Sequence, residues 1–236
     1  MSHQDGRCAS PGETIYVENQ SACSDTTGTA GGTSARPFCS LHPAVAAVAA
    51  AGTARDLVVV RGSVNGAASA FQTSAPPISI VGQMSGLIGG VNPAIHVAKG
   101  DLFARDLTLT TVSSVGCQAD AGATVRLDRV LVTGNASGGI LLDGAAFVIT
   151  NTTVTNNGPG DLGFFWGGIR AQNIPVGGPA QLTNLTVRNN NQQGISCSAV
   201  VVGTSVLATN NVGGDISPTC GFMSCPAAGP TCGATP

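Results

Sequence analysis

The sequence predicts an all-β protein built as a parallel β-helix, a solenoid in which short coils of chain stack on one another. Segments 125–135, 148–157 and 181–190 (VRLDRVLVTGN, VITNTTVTNN and QLTNLTVRNN) each hold two alternating β-like runs separated by one polar residue. That residue recurs as Asp106, Asp128, Asn151 and Asn184, at spacings of 22, 23 and 33. Such short strands at a fixed period, with no room for helical crossovers between them, indicate stacked repeats.

A second strand pattern interleaves with the first, so each coil holds three short strands and three turns. Its members are AIHV, GCQA, GILL, GIRA, GISC and DISP, at 94–97, 116–119, 139–142, 168–171, 194–197 and 215–218. Alternation along each strand predicts one inward column, because neighbouring side chains point to opposite faces. That column is Ile95, Cys117, Ile140, Ile169, Ile195 and Ile216.

The recurring polar turn residue has a predicted structural role. Asn and Asp side chains bond to nearby backbone groups and tolerate left-handed dihedral angles. We therefore expect Asp106, Asp128, Asn151 and Asn184 to form an internal ladder between coils. Asn151 and Asn184 also lie in Asn-x-Thr sequons, and a buried ladder would exclude glycans there.

The two ends of the chain differ in composition from the repeats. We expect an N-terminal tail at 1–13, a β-helix domain at 14–219, and a Cys/Pro/Gly-rich tail at 220–236. Within the domain, Ser40 is a candidate N-cap for a short helix near 42–51, which Gly52 would end.

Eight cysteines without paired CxxC motifs indicate terminal disulfides rather than zinc ligation. Cys23 with Cys39 is the favoured pair, although the sequence leaves the full connectivity open. Cys117 and Cys197 are expected to fill inward positions as small apolar residues.

Composition argues against several classes of partner. The net charge is −2 and Lys99 is the only lysine, so the basic surface typical of nucleic-acid binding is missing. No apolar run approaches the ~18 residues that a membrane span needs. The cysteines favour a secreted or cell-surface protein, while residues 1–10 lack the apolar segment of a signal peptide.

The Gly-Ile-x-x strands, the Asn turns and the opening segment resemble the right-handed β-helix, pectin-lyase-like superfamily, which includes pectate lyases and polygalacturonases. The opening segment reads TIYVEN, then GTSARPFCSLHPAVAAVAAAGTARDLVVVRG. The resemblance covers about 14–217 and implies a right-handed solenoid whose N-terminal helix caps the first coil. It also implies that one strand face and its flanking loops form a cleft for a polysaccharide or cell-surface glycan.

On that face the outward column is His96, Gln118, Leu141, Arg170, Ser196 and Ser217. The next outward position, two residues later in each segment, is occupied by Ala98, Asp120, Asp143, Gln172, Ser198 and Thr219. In the family's lyases carboxylates bind Ca²⁺ and an Arg abstracts a proton, whereas in its hydrolases carboxylates act as acid and base. The resemblance therefore makes Asp120, Asp143 and Arg170 candidate catalytic residues, with Asp120 and Asp143 also candidate Ca²⁺ ligands. Surface turn residues are the alternative interpretation of both carboxylates.

An aromatic cluster interrupts one coil, within GPGDLGFFWGGIRAQNIPVGGP at 158–179. The two turns around GGIRA are enlarged there, which accounts for the spacing of 33. Phe164, Phe165 and Trp166 are predicted to form a lip beside Arg170, and packing onto the neighbouring coil is the alternative. The candidate substrate-binding residues are His96, Gln118, Asp161, Phe164, Phe165, Trp166, Gln172 and Ser196.

Two functions remain open from the sequence. One is an extracellular carbohydrate-interacting β-helix that acts as a polysaccharide lyase or hydrolase on acidic glycans. The other is a non-catalytic, adhesin-like module whose stacked coils form a stiff spacer and whose loop binds a partner. The sparse carboxylates favour the module, and the position of Arg170 beside the enlarged loops favours the enzyme.

Overall fold

The chain folds as a right-handed parallel β-helix of about six coils. The computed structural model describes residues 8–26, 31–51, 56–65, 71–72, 77–90, 93–111, 113–158 and 166–223. The first half contains β1 (Thr14–Glu18), α1 (Leu41–Ala51), β2 (Leu57–Asn65), β3 (Phe71–Gln72), β4 (Ile78–Gly89), β5 (Ile95–Arg105), β6 (Thr108–Leu109) and β7 (Val115–Ala119). The second half contains β8 (Ala123–Asp128), β9 (Leu131–Thr133), β10 (Gly138–Asp143), β11 (Ala146–Thr150), β12 (Thr153–Thr155), β13 (Trp166–Gln172), β14 (Ala180–Arg188), β15 (Gln193–Cys197) and β16 (Val202–Thr209). Short 3₁₀ turns lie at Pro11–Glu13 and Pro218–Cys220.

The strands form three parallel faces. Face 1 consists of β3, the start of β5, β7, β10, β13 and β15. Face 2 contains β1, β8, β11 and the first parts of β2, β4, β14 and β16, together with the end of β5. Face 3 contains β6, β9, β12 and the later parts of β2, β4, β14 and β16. Long strands such as β14 turn the corner between faces 2 and 3 at a residue of positive φ, here Asn184.

The core is a continuous apolar column inside the coils. The predicted inward column of face 1 is confirmed: Ile95, Cys117, Ile140, Ile169, Ile195 and Ile216 occupy successive register positions. All of these except the last, half-buried Ile216 are buried. At the N-terminal end α1 adds Leu41, Val45 and Val48 to the same core and packs against β1 and β2.

The N-terminal helix begins one residue before the predicted range, and its start is fixed by Asp25. This carboxylate accepts hydrogen bonds from the backbone amides of Cys39 and Ser40, and from the Ser40 hydroxyl at 2.9 Å. The Ser40 hydroxyl therefore bonds to Asp25. The sequence analysis predicted instead that Ser40 would cap the N-terminus of the helix. Gly52 lies outside the described residues. No helix in the described ranges is long and apolar enough to span a membrane.

Two disulfides close the ends of the solenoid. Cys23–Cys39 is confirmed. Cys197 is buried in the core as predicted, but it is not an unpaired apolar residue, because it bonds to Cys220. This second bond draws the 3₁₀ turn back over the last coil, and Phe222 packs closely on Gly203 of β16. Cys117 is buried and free, as predicted.

The predicted internal ladder is at the wrong corner of the coil. Asn151 and Asn184 are exposed, with φ of 49° and 52°, so they form a hydrogen-bonded row on the outside between faces 2 and 3. In that row Arg129, not Asp128, occupies the left-handed position and pairs with Asp106 at 2.7 Å. These exposed amides also place both sequons on the surface.

The buried ladder lies between faces 3 and 1. It runs through Asn135, Asn157, Asn190 and Asn211, at most 8% exposed. The Nδ2 groups of Asn135, Asn157 and Asn190 each donate to the Oδ1 of the next Asn, at 2.8, 3.0 and 2.8 Å, and also to a backbone carbonyl of the coil before. Each Oδ1 also accepts the backbone amide of the previous Asn. The ladder therefore connects side chain and backbone through four successive coils.

We expect Asn157→Ala to lower the free energy of unfolding by about 2–5 kcal/mol. The change removes the bonds of the Asn157 side chain to the Val132 carbonyl, to the backbone amide and side chain of Asn135 and to the side chain of Asn190. A buried polar group that loses its partner costs ~1–3 kcal/mol. Denaturant unfolding followed by circular dichroism measures the effect. Asn191→Ala is the matched control, since Asn191 is exposed and adjacent to the ladder. Equal stabilities of the two variants would contradict the ladder's role.

Burial raises the pKa of the Cys117 thiol from its ordinary 9.0 to about 12. Between these pH values the unfolded chain loses this proton and the folded chain keeps it, so stability falls as pH rises through that window. The expected slope is up to roughly 1.4 kcal/mol per pH unit. Denaturant unfolding from pH 8 to 11 should show a shallower decline for Cys117→Ala than for wild type. The same measurement on Cys8→Ala, which changes an exposed cysteine, should leave the slope unchanged.

Candidate functional site

Face 1 carries the predicted site, and its register confirms which residues are neighbours. His96, Gln118, Leu141, Arg170 and Ser196 follow one another on successive strands and alternate with the buried column. Asp143 and Gln172 are likewise in register one outward position further along. Adjacent members of a column are ~4.8 Å apart. The solenoid thus places the candidate side chains on one surface.

Asp120 forms a hydrogen-bonded cluster with two residues of the first column. Its Oδ2 lies 2.7 Å from Nε2 of His96, and its Oδ1 accepts a bond of 3.0 Å from Nε2 of Gln118. The side chains of His96 and Asp120 are 23% and 38% exposed. Both groups are therefore accessible to solvent while they hold each other in place.

Asp143 forms a separate cluster with the coil that follows it. Its Oδ2 accepts from the Gln172 amide at 2.8 Å, and its Oδ1 accepts from the Asn173 amide at 2.7 Å. Asn173 was missed in the sequence analysis. The sequence signal for this residue was its position directly after β13, where an Asn often adopts the left-handed conformation that ends a strand. Asn173 has a φ of 52°.

The arrangement of Asp120 and Asp143 does not suit the predicted Ca²⁺ site. All four of their oxygens already accept hydrogen bonds, from side chains on different coils. Ca²⁺ takes six to eight oxygen ligands, so binding would require these bonds to break. The described part of the chain contains no group of three or more His, Cys, Asp or Glu residues placed to hold a metal ion.

Arg170 lies on β13, the strand that also carries Gln172 of the Asp143 cluster, and is half-buried. Its guanidinium has no hydrogen-bond or ion-pair partner among the described residues, in contrast to Arg129, which pairs with Asp106. Ser196 is in register with Arg170 on the next coil and is also half-buried. The side chains of Arg170 and Asp143 stand on neighbouring strands two residues out of register, a diagonal separation of ~7–8 Å.

Trp166 does not form the exposed lip that the sequence suggested. It is 1% exposed, and its indole lies against Gly138 of the preceding coil, where a Cβ would come within 2.4 Å of the ring. The packing alternative therefore holds for this residue, since only a glycine leaves room for the ring. Asp161, Phe164 and Phe165 lie outside the described residues.

No protein-family model matches the chain, and no curated protein matches it. Among solved structures it is similar to the crystal structure of pectate lyase Pel9A, with a TM-score of 0.41 and 14% identity. The match covers 83% of this chain and 68% of that chain. A similarity of this size does not bear on the site or on any reaction, which must be argued from the residues themselves.

The buried position of Trp166 predicts the fluorescence of the protein, because this is the only tryptophan. Emission should be blue-shifted relative to the unfolded chain and weakly quenched by acrylamide. Added polygalacturonate should leave it unchanged, since a ring shielded from solvent cannot contact a sugar.

Gly138→Ala provides the complementary test. Its methyl group would overlap the indole, and the glycine's φ of 132° disfavours any side chain. We expect red-shifted emission and stronger quenching in this variant. Strong quenching of the wild-type protein would contradict the buried position.

Proposed function

We propose that the protein is an extracellular β-helix that binds acidic polysaccharide across face 1. The observation that carries the proposal is the half-buried Arg170, a cation without a partner among the described residues, on a surface of hydrogen-bonding side chains. Gln172 lies on its own strand, Ser196 on the next coil and Gln118 two coils before it. Two disulfides support an oxidising, extracellular location.

The geometry suits an extended anionic chain. The guanidinium fork matches a carboxylate in a bidentate manner, and it is more weakly hydrated than an ammonium group. Sugar hydroxyl groups can bond to the amides and hydroxyls at the ~4.8 Å spacing of the coils.

Catalysis is the second candidate, and one contact favours it. The His96–Asp120 pair at 2.7 Å is partly exposed on the same face, and a His–carboxylate pair is suited to general acid–base chemistry. In a lyase or hydrolase, this pair would handle the proton while Arg170 holds the uronate. The hydrogen bonds that occupy Asp120 and Asp143 favour binding without turnover.

We expect Arg170→Gln to weaken binding of polygalacturonate roughly 10- to 100-fold, because a hydrogen bond to a charged group contributes ~1.5–3 kcal/mol. Isothermal titration calorimetry measures the affinity. Arg126→Gln is the matched control: Arg126 is also half-buried without a described partner, but it lies on face 2. Binding should weaken as salt is raised.

Unchanged affinity of Arg170→Gln, or equal binding of a neutral glucan, would contradict the proposal. The catalytic candidate is tested by incubating the protein with polygalacturonate and measuring unsaturated products and new reducing ends. Turnover that disappears in Asp120→Asn would establish the enzyme. Binding without turnover would leave the non-catalytic module.

A further inference from the structure

A small cleft lies on the outer side of face 2, at the N-terminal end of the solenoid. Its volume is about 230 Å³, and it is lined by Ala9, Pro11, Thr14, Tyr16, Arg61 and Gln83. Ala9 and Tyr16 also cover a small outer apolar cluster of Leu57, Val59 and Val81. The segment before β1 therefore folds over the sheet and forms one wall of the cleft.

Arg61 is held in place from several sides. Glu18, Arg61 and Gln83 occupy the same register position on β1, β2 and β4. The guanidinium donates from Nε to Gln83 at 3.0 Å and from Nη1 to Ser34 at 3.1 Å, and it stacks 4.3 Å from the centre of the Tyr16 ring. Such fixed positioning reduces the conformational entropy that would be lost when a ligand binds.

Two donor groups at this cleft have no hydrogen-bond partner among the described residues. They are Nη2 of Arg61 and the amide NH₂ of Gln83, whose oxygen is already occupied by Arg61 Nε. The arrangement is a cation and an adjacent amide donor on the wall of one small cleft. We infer that this cleft binds the carboxylate of a small polar molecule, with Arg61 and Gln83 as its donors.

Charge and size define the class of ligand. Glu18 lies 3.8 Å from Nη1 of Arg61, so the site favours a single negative charge over a phosphate dianion. The cleft is smaller than the ~300–1,000 Å³ typical of drug-sized ligands. A hydroxy acid or a single sugar acid meets both conditions, and both present the same carboxylate.

This site does not depend on the function proposed for face 1. Arg61 belongs to face 2 on the early coils, whereas Arg170 belongs to face 1 on a later coil. Removal of either arginine should therefore leave the other site intact. That separation allows the two proposals to fail independently.

The test is calorimetric titration of the full chain at low salt with D-galacturonate and with L-lactate, using D-galactose and inorganic phosphate as comparisons. We expect both carboxylates to bind and D-galactose not to bind. Arg61→Gln should weaken carboxylate binding at least tenfold. Glu18→Gln should strengthen it severalfold by removing the competing charge. Tighter binding of galacturonate assigns a sugar acid, and tighter binding of lactate assigns a hydroxy acid.

Arg126→Gln, which changes a half-buried arginine on a later coil of face 2, is the matched control and should retain this binding. Absence of carboxylate binding, tighter binding of phosphate, or equal affinity of wild type and Arg61→Gln would overturn the inference. Weaker binding in Glu18→Gln would also overturn it, and this variant keeps the test decisive if Arg61→Gln fails to fold.

Discussion

The buried asparagine ladder is the interaction on which the remaining structure depends. In this solenoid the chain turns from face 3 to face 1 once in every coil, at a corner that is buried by the neighbouring coils. The backbone N–H and C=O groups at that corner therefore need hydrogen-bond partners within the protein. Asn157 and its equivalents supply them, because an amide side chain offers both a donor and an acceptor. Asn157, for example, bonds through its side chain to the coil before, and through its side chain and backbone amide to the coil after.

The ladder also contributes to the register of the later coils of face 1. Each ladder residue precedes a strand or bridge of that face, and these align Ile140, Ile169, Ile195 and Ile216 in one column. Insertions are accommodated between ladder positions, as in the coil from Asn157 to Asn190, which is enlarged to 33 residues. The outward residues keep their alignment across that insertion, so Arg170 remains in register with Leu141 and Ser196.

The sequence predicted the repeat, the inward column and the outward neighbours, because period-two alternation fixes which side of a strand each residue occupies. It did not distinguish two turns of the same coil that both contain Asn. The distinguishing signal was present: each buried Asn follows a residue of positive φ, namely Gly134, Asn156, Asn189 or Asn210. The Cys197–Cys220 bond was missed, and the choice between an exposed and a packed Trp166 was left open, because both depend on contacts between coils, which periodicity does not describe.

The same geometry limits what chemistry face 1 can perform. Parallel stacking gives each outward side chain neighbours only on the coil before, the coil after and its own strand. Asp120 uses the coil before and its own strand, through His96 and Gln118, whereas Asp143 uses the coil after. The carboxylates are thus adjacent in the column but engaged in opposite directions. A shared proton or cation would require one of them to give up its partners. Arg170 needs no such change, and the proposal for face 1 therefore rests on binding of an anion.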